Sequence, residues 1–271
     1  MKRKQHNYNL IIGATIVSIL ILMMLISFFY TPHNPNEMIT ADRLHPPSAK
    51  YLFGTDNFGR DILSRMMQAT QTVFQVGISS IAIGLIGGLL VGSLAGYCGG
   101  WVDELLMRVM DAMLAIPGIL FAIMLVSIFD PSLTNTILAL GIPRIPSFAR
   151  IVRSGFLQVK EFDFVKSSKI KGASHWHIIR HHILPNITTQ IIVITSLSFS
   201  TIVLSEAGLS YLGLGVQPPD PSWGRMLSEA KPYLINAPWY IISVGISITL
   251  LVFGFNLLGD GIRKMQDKRR D

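Results

Sequence analysis

Long apolar runs alternate with short polar segments along this chain. A helix needs about 20 mostly apolar residues to cross a bilayer. Five runs approach or exceed that length: Leu10 to Tyr30, Phe74 to Tyr97, Ala112 to Phe129, Ile183 to Ser205 and Ala237 to Leu258. A sixth, Ser132 to Ala149, is weaker because Pro143, Arg144 and Pro146 interrupt it. The polar stretch from Val165 to Asn186, VKSSKIKGASHWHIIRHHILPN, is long and cationic for a loop between spans. From Gln158 to His182 the pattern reads as two short helices hinged at Gly172. Ser174 is placed to cap the second helix, and Pro185 falls near the start of the next span, where its missing N–H costs least. The segment reads as a docking surface.

Charge decides whether the weak sixth run crosses. Lys and Arg concentrate in cytoplasmic loops. With six crossings and the N-terminus inside, the inside holds Lys2, Arg3, Lys4, Arg108, Arg150, Arg153, the cations of the 158–182 loop and the basic C-terminus. The outside keeps only Arg43, Lys50, Arg60, Arg65, Arg225 and Lys231. If Ser132 to Ala149 did not cross, two basic blocks would fall outside. The expectation is an all-α integral membrane protein with six transmembrane helices, both termini cytoplasmic, and a cytoplasmic elbow between spans four and five.

Composition agrees. Half of the residues are hydrophobic and 14% are charged, against about 25% in a soluble domain. The net charge of +7 sits in blocks between apolar runs, which argues against nucleic acid as the partner. The first apolar run is too long for a signal peptide and reads as an uncleaved span. Cys98 is the single cysteine, so no intrachain disulfide forms, and its place in an apolar run predicts a buried side chain. Gly84, Gly88 and Gly92 share one helix face and predict close helix packing.

Other residues carry narrower expectations. Asp56/Arg60 and Asp61/Arg65 have the spacing of favourable helical ion pairs. His177 and His181 have the spacing of a metal-ligand pair, but no carboxylate completes a set nearby, so no metal site is expected. The loop from Ser210 to Asn236, above all Pro221, Ser222, Trp223 and Gly224, is a candidate contact for an external protein or a gate of the pore. Asp111, Arg144 and Glu206 lie near the membrane and are functional candidates by that placement; Asp111 and Glu206 fit span ends within reach of water equally well. No G-x-x-x-x-G-K-[ST] phosphate loop occurs, so ATP hydrolysis is not expected in this chain and no catalytic residue is assigned.

Lys166-Ser167-Ser168, Gly172-Ala173-Ser174 and His182-Ile183-Leu184-Pro185 resemble the coupling-loop motif of binding-protein-dependent ABC importer permeases: E-A-A, three residues, G, nine residues, I-x-L-P. The acidic and alanine positions and the motif's isoleucine differ here. Further segments are similar to the dipeptide, oligopeptide and nickel permeases: Leu52 to Asp56 with Gly59-Arg60-Asp61 and Ser64-Arg65, Gly99 to Asp103, Leu212 to Gly215, Pro221 to Gly224 and Phe255 to Asp260. The resemblance implies the second permease type of an importer. The organisation it implies is an N-terminal span with its external segment (residues 1–73), the transmembrane core (74–262, coupling loop 158–182) and a basic tail (263–271).

It further implies a second permease, two ATPase subunits that bind ATP and Mg, an extracytoplasmic solute-binding lipoprotein, and a bacterial cytoplasmic membrane. ATPase coupling falls to Lys166, Ser167, Ser168, Gly172, Ala173, Leu184 and Pro185, with the segment Glu161 to His182 seated in a groove of the ATPase. Lys166, Lys169, Lys171 and Arg180 either pair with acidic residues there or anchor at anionic lipid. Di- or oligopeptide is the expected solute, and nickel or a metal–chelator complex is the alternative. A transporter that runs without ATP would explain the spans but not the elbow.

Overall fold

The computed structural model describes residues 7–270, and these residues are mostly helical, the longest stretch without an α-helix lying between residues 28 and 61. Lys2, Arg3 and Lys4, and the side chains of Lys268, Arg269 and Arg270, lie outside the described residues. The helices in chain order are α1 (Tyr8–Ser27), α2 (Ile62–Cys98), α3 (Gly100–Leu114), α4 (Gly118–Phe129), α5 (Leu133–Gly141), α6 (Ile145–Val159), α7 (Asp163–Ile170), α8 (His175–Ile178), α9 (Leu184–Tyr211), α10 (Trp223–Ala230) and α11 (Pro238–Arg270).

Among the described residues, four helical stretches are long and apolar enough to cross a membrane: Tyr8–Ser27, Ile62–Cys98, His175–Tyr211 and Pro238–Met265. The run expected as one span over Ala112 to Phe129 is instead broken. The chain turns at Ala115 to Pro117 between α3 and α4, and the two helices meet at 80°. Pro117 supplies the reason, since a proline in a helix interior removes a hydrogen bond and clashes with the preceding turn. The weak run over Ser132 to Ala149 is divided as well, into α5, a 3-10 turn at Ile142–Arg144 and α6. Backbone angles stay right-handed helical through Gly141, Ile142, Arg144 and Ile145, so α5 leads into α6 without reversing.

The glycine face of α2 sets the packing. A Cβ on Gly88 would stand 2.3 Å from Cβ of Phe148 and 2.9 Å from the backbone of Ala149. One turn on, a Cβ on Gly92 would meet the Ala149 carbonyl at 2.5 Å. Gly84 lies against Arg144 and Gly96 against Phe156, so α2 and α6 run side by side in the same direction. Small residues allow this close approach, which gains dispersion contact where lipid offers no hydrophobic driving force.

The outermost helices pair in the opposite sense. Gly13 packs on Gly254 and Leu258, and Leu10 packs on Gly261. The Asn7 amide donates to the Gly261 carbonyl at 2.5 Å. The start of α1 therefore lies beside the C-terminal part of α11. The main core is formed by α2, α9, α10 and α11, with Phe74, Phe199 and Phe255 in mutual ring contact.

Candidate functional site: the elbow and the outer cap

The elbow begins where α6 ends. α7 closes in a Schellman turn: the N–H of Gly172 donates to the Lys169 carbonyl at 3.1 Å, and that of Ala173 to the Ser168 carbonyl at 3.1 Å. Such a turn needs a left-handed residue just past the helix, and Gly172 has φ +82°. Nothing lies within 4 Å of where its Cβ would be, so the glycine serves the torsion and not a tight approach. The Ser174 hydroxyl then caps α8, accepting the His177 N–H at 3.3 Å.

From His175 the helix continues into α9 without a stop. A π-helical turn over Ile179–Ile183 joins them, in which the N–H of Leu184 bonds to the Ile179 carbonyl. Pro185 accounts for this turn. It has no N–H for the carbonyl four residues earlier, His181, and its ring crowds that carbonyl. A wider turn relieves both problems. Pro185 is thus placed at the start of α9 as the spacing predicts, but inside a continuous rod.

The elbow has its own small core. Val165 of α7, Ile178 of α8 and Ile183 are buried against Val152, Phe156 and Val159 of α6 and Ile187 of α9, and Ala173 and Leu184 pack at its edge. Elbow, α6 and the root of α9 are therefore one packed unit. Its outer face is open: Ile170 is 87% and Trp176 67% exposed, with Phe162 and Phe164 also exposed. Around these stand Lys166, Ser167, Lys169, Lys171 and Arg180, all exposed. Lys166 pairs within the elbow, its Nζ 3.1 Å from Glu161, an exposed contact of little energetic weight. The rings of His177 and His181 stack with centroids 4.4 Å apart, and no metal-binding group of three ligand residues forms among the described residues.

The helix ends on the elbow side are tied to this unit by ion pairs. Arg153 of α6 binds Asp103 of α3, with Nη2 2.6 Å from Oδ2, and Arg150 reaches Asp111 at 2.7 Å. Cys98 is exposed at the end of α2, not buried as its apolar neighbours predict, because the elbow does not close over that end of the helix.

At the opposite end, the segment before α2 and the α9–α11 connection form a cap. Of the expected helical pairs, Asp56/Arg60 forms outside a helix and Asp61/Arg65 does not form; Asp56, Arg60 and Arg65 belong to one buried network. Asp56 and Arg60 precede the helix, in a loop where Nε of Arg60 lies 2.6 Å from Asp56. Asp61 is the N-cap of α2 and accepts the Ser64 N–H at 3.0 Å. Arg65 turns instead to Asp56 and Glu229, at 3.6 and 3.9 Å. Both arginines are buried, so local order is the smaller part of their role. In the segment between α1 and α2 the Tyr51 hydroxyl and then Lys50 donate to Asp42, which holds its carboxyl below the usual carboxylate range.

The four residues singled out here, Pro221 and Ser222 at the end of the α9–α10 loop and Trp223 and Gly224 at the start of α10, are all buried. The Pro221 carbonyl accepts from Thr72 at 3.1 Å and the Trp223 indole donates to the Met66 carbonyl at 3.2 Å. Ser222 caps α10 by accepting the Arg225 N–H at 3.2 Å, and Gly224 abuts the Ala207 carbonyl. They fasten the loop to α2 and α9, and the exposed tip is Pro218, Pro219 and Asp220. Glu206, expected at a watery span end, is buried at 1% exposure, and its Oε1 accepts from the Ser210 hydroxyl at 2.6 Å. Sequence reading missed Glu229 and Tyr240, whose hydroxyl lies 3.4 Å from Glu229, because their partners are far away along the chain. It also missed Ile170 and Trp176, whose apolar character in a charged segment was the available signal.

Residues 88–271 match the family model of the binding-protein-dependent transport system inner membrane component. The chain is 41% identical to the dipeptide transport system permease protein DppC of Alkalihalophilus pseudofirmus, over 99% of this chain and 88% of that protein. It is 41% identical to the probable D,D-dipeptide transport system permease protein DdpC of Escherichia coli K12, over 95% and 86%. It is 39% identical to the glutathione transport system permease protein GsiD of Pectobacterium atrosepticum, over 92% and 84%. Among solved structures, an inward-facing MetNI methionine ABC transporter aligns with TM-score 0.58 at 19% identity, over 73% of this chain and 96% of that one; it bears on the fold alone. This chain belongs to the family of binding-protein-dependent transport system inner membrane components.

Proposed function

We propose that the chain is the pore-forming permease subunit of an ATP-driven importer of di- or oligopeptides. The observation that carries this reading is the elbow: an exposed apolar tip ringed by cations, set on a core shared with α6 and α9. A partner that grips the tip moves two membrane helices with it. Such a bistable element, biased by nucleotide on the partner, is what coupling requires. The partner is an ATPase subunit that holds ATP and Mg, in a complex of two ATPases, this chain, a second permease and an extracytoplasmic solute-binding lipoprotein. The chain itself is a transporter subunit and not an enzyme.

The six-span reading is supported by packing direction. The α5–α6 run lies along α2 from Ser80, beside Ile137, to Gly96, beside Phe156. That is about 24 Å of parallel contact, most of the hydrocarbon thickness. If α2 crosses, α5–α6 crosses in the same sense, and the bent α3–α4 pair returns the chain between them. With the elbow inside, the adjacent ends of α1 and α11 are cytoplasmic too. The outer cap then faces the binding protein. There Pro218 to Asp220 offer the contact, while Pro221, Ser222, Trp223 and Gly224 gate or brace the mouth of the pore.

Peptide is favoured over nickel or a metal chelate because the relatives described above are named for dipeptide, D,D-dipeptide and glutathione transport. Site-directed crosslinking tests the docking. With Cys98 changed to Ser, Ile170→Cys crosslinks to the ATPase and Asp220→Cys does not. Absence of any Ile170→Cys product with or without nucleotide rejects the elbow as the docking site.

A further inference from the structure

The elbow does not close fully onto α2. Between them lies a cavity of ≈ 480 Å³. Its floor is apolar, formed by buried Val165 and Ile178. Its walls carry the cations Lys160, just past α6, and Lys166 and Lys169 on α7, with His175 beside them at the start of α8. Glu161, the carboxylate among them, is engaged by Lys166. Lys160 donates to the Gly96 carbonyl at 3.0 Å, which leaves donors of its ammonium group for a ligand. The Lys169 ammonium has no ion-pair or hydrogen-bond partner among the described residues, although its backbone carbonyl accepts from Gly172. Asp103, which feels the charge of Lys160, is already bound to Arg153.

The cavity sits at the inner end of a spanning helix, since Tyr97 and Cys98 in its wall are the last residues of α2. Above Cys98 on the same face stand Leu94, Leu90 and Ile86, 53%, 61% and 60% exposed. A four-residue spacing keeps these side chains in one line along the helix. An apolar track thus leads down α2 into a positively charged cup, a shape and polarity that match acyl chains ending in a phosphate. Basic pockets between spanning helices on the cytoplasmic side bind anionic lipid headgroups by this chemistry.

We propose that this cavity is a binding site for a phosphate-bearing anion, supplied by the headgroup of an anionic phospholipid of the inner leaflet. Bound there, the headgroup bridges α2 to the elbow. The site needs only the elbow's position at the inner membrane surface, and its test needs no transport, so it fails or stands apart from the importer reading.

Cys98 is the only cysteine of the chain and lines the cavity, so it reports occupancy. The full chain, with any subunits that accompany it, is placed in nanodiscs of phosphatidylcholine alone or mixed with phosphatidylglycerol. Alkylation of Cys98 by a small neutral maleimide is followed by mass spectrometry. Phosphatidylglycerol is expected to slow alkylation about fivefold. The protection is lost in Lys169→Gln, which removes a cavity cation, and kept in Lys171→Gln, a cation of the same turn outside the cavity. Equal rates in the two lipids overturn the site. Equal protection in both variants marks a general surface-potential effect and overturns it too. Equal protection by inorganic phosphate in phosphatidylcholine discs overturns the lipid as its source.

Discussion

Nη2 of Arg60 lies 2.9 Å from Oε2 of Glu229, joining the entrance of α2 to α10 across 169 residues of chain. Asp56 and Arg65 complete the network, and Tyr240 closes it from α11. Removing one member strands a buried charge, at a cost of about 3–5 kcal/mol. Arg60→Ala is therefore expected to lower the unfolding temperature of the purified chain sharply. Arg108→Ala, whose exposed pair with Glu104 is worth little, serves as the contrast. Equal unfolding temperatures for the two variants would remove the cap's structural role.

Gly88→Leu places a side chain where Phe148 and the α6 backbone already stand. Overpacking of this kind costs about 1–3 kcal/mol or more. Because α6 carries the elbow, the variant is expected to lose ATPase association along with thermal stability. Gly245→Leu, where nothing lies within 4 Å of the added Cβ, is expected to keep both. Co-purification with the ATPase reads the difference.

Gly172→Ala keeps the chain's contacts and strains only the left-handed torsion, by about 1–2 kcal/mol. Gly172→Pro is more severe, because proline cannot adopt φ +82° and removes the N–H that bonds Lys169. Uptake is expected to fall partially in the first and to vanish in the second, with the chain still reaching the membrane. Normal uptake by Gly172→Pro would sink the view of the elbow as a rigid lever.

Pro185→Ala restores an N–H facing the His181 carbonyl and removes the ring that crowds it. The π-turn is then free to relax to an α-turn, which rotates α8 by about 100° relative to α9. ATP hydrolysis is expected to persist while uptake drops, a split between two assays on the same proteoliposomes. Parallel loss of both activities would point to a folding defect instead.

The spans with clean apolar runs were legible because their periodicity and length are local properties. Gly84, Gly88 and Gly92 announced their packing face, and Gly172 its turn. Ala112 to Phe129 misled because hydropathy averages over Pro117, whose effect is a bend. Asp56, Arg60, Asp61 and Arg65 misled for a different reason. Their spacing fits a helix, but Asp61 is used as the cap of α2, and Glu229, the partner that reorganises them, is invisible at short range. Cys98 and Glu206 were misplaced because burial depends on which neighbour covers a face.

The central claim is tested most directly by uptake of a labelled dipeptide into proteoliposomes. They contain this chain, the second permease and the ATPases, with the binding protein added outside. The account predicts uptake that requires both ATP and the binding protein, and that excess unlabelled dipeptide suppresses and excess nickel does not. Dipeptide accumulation that continues without ATP, or an importer that moves nickel and no peptide, would contradict it.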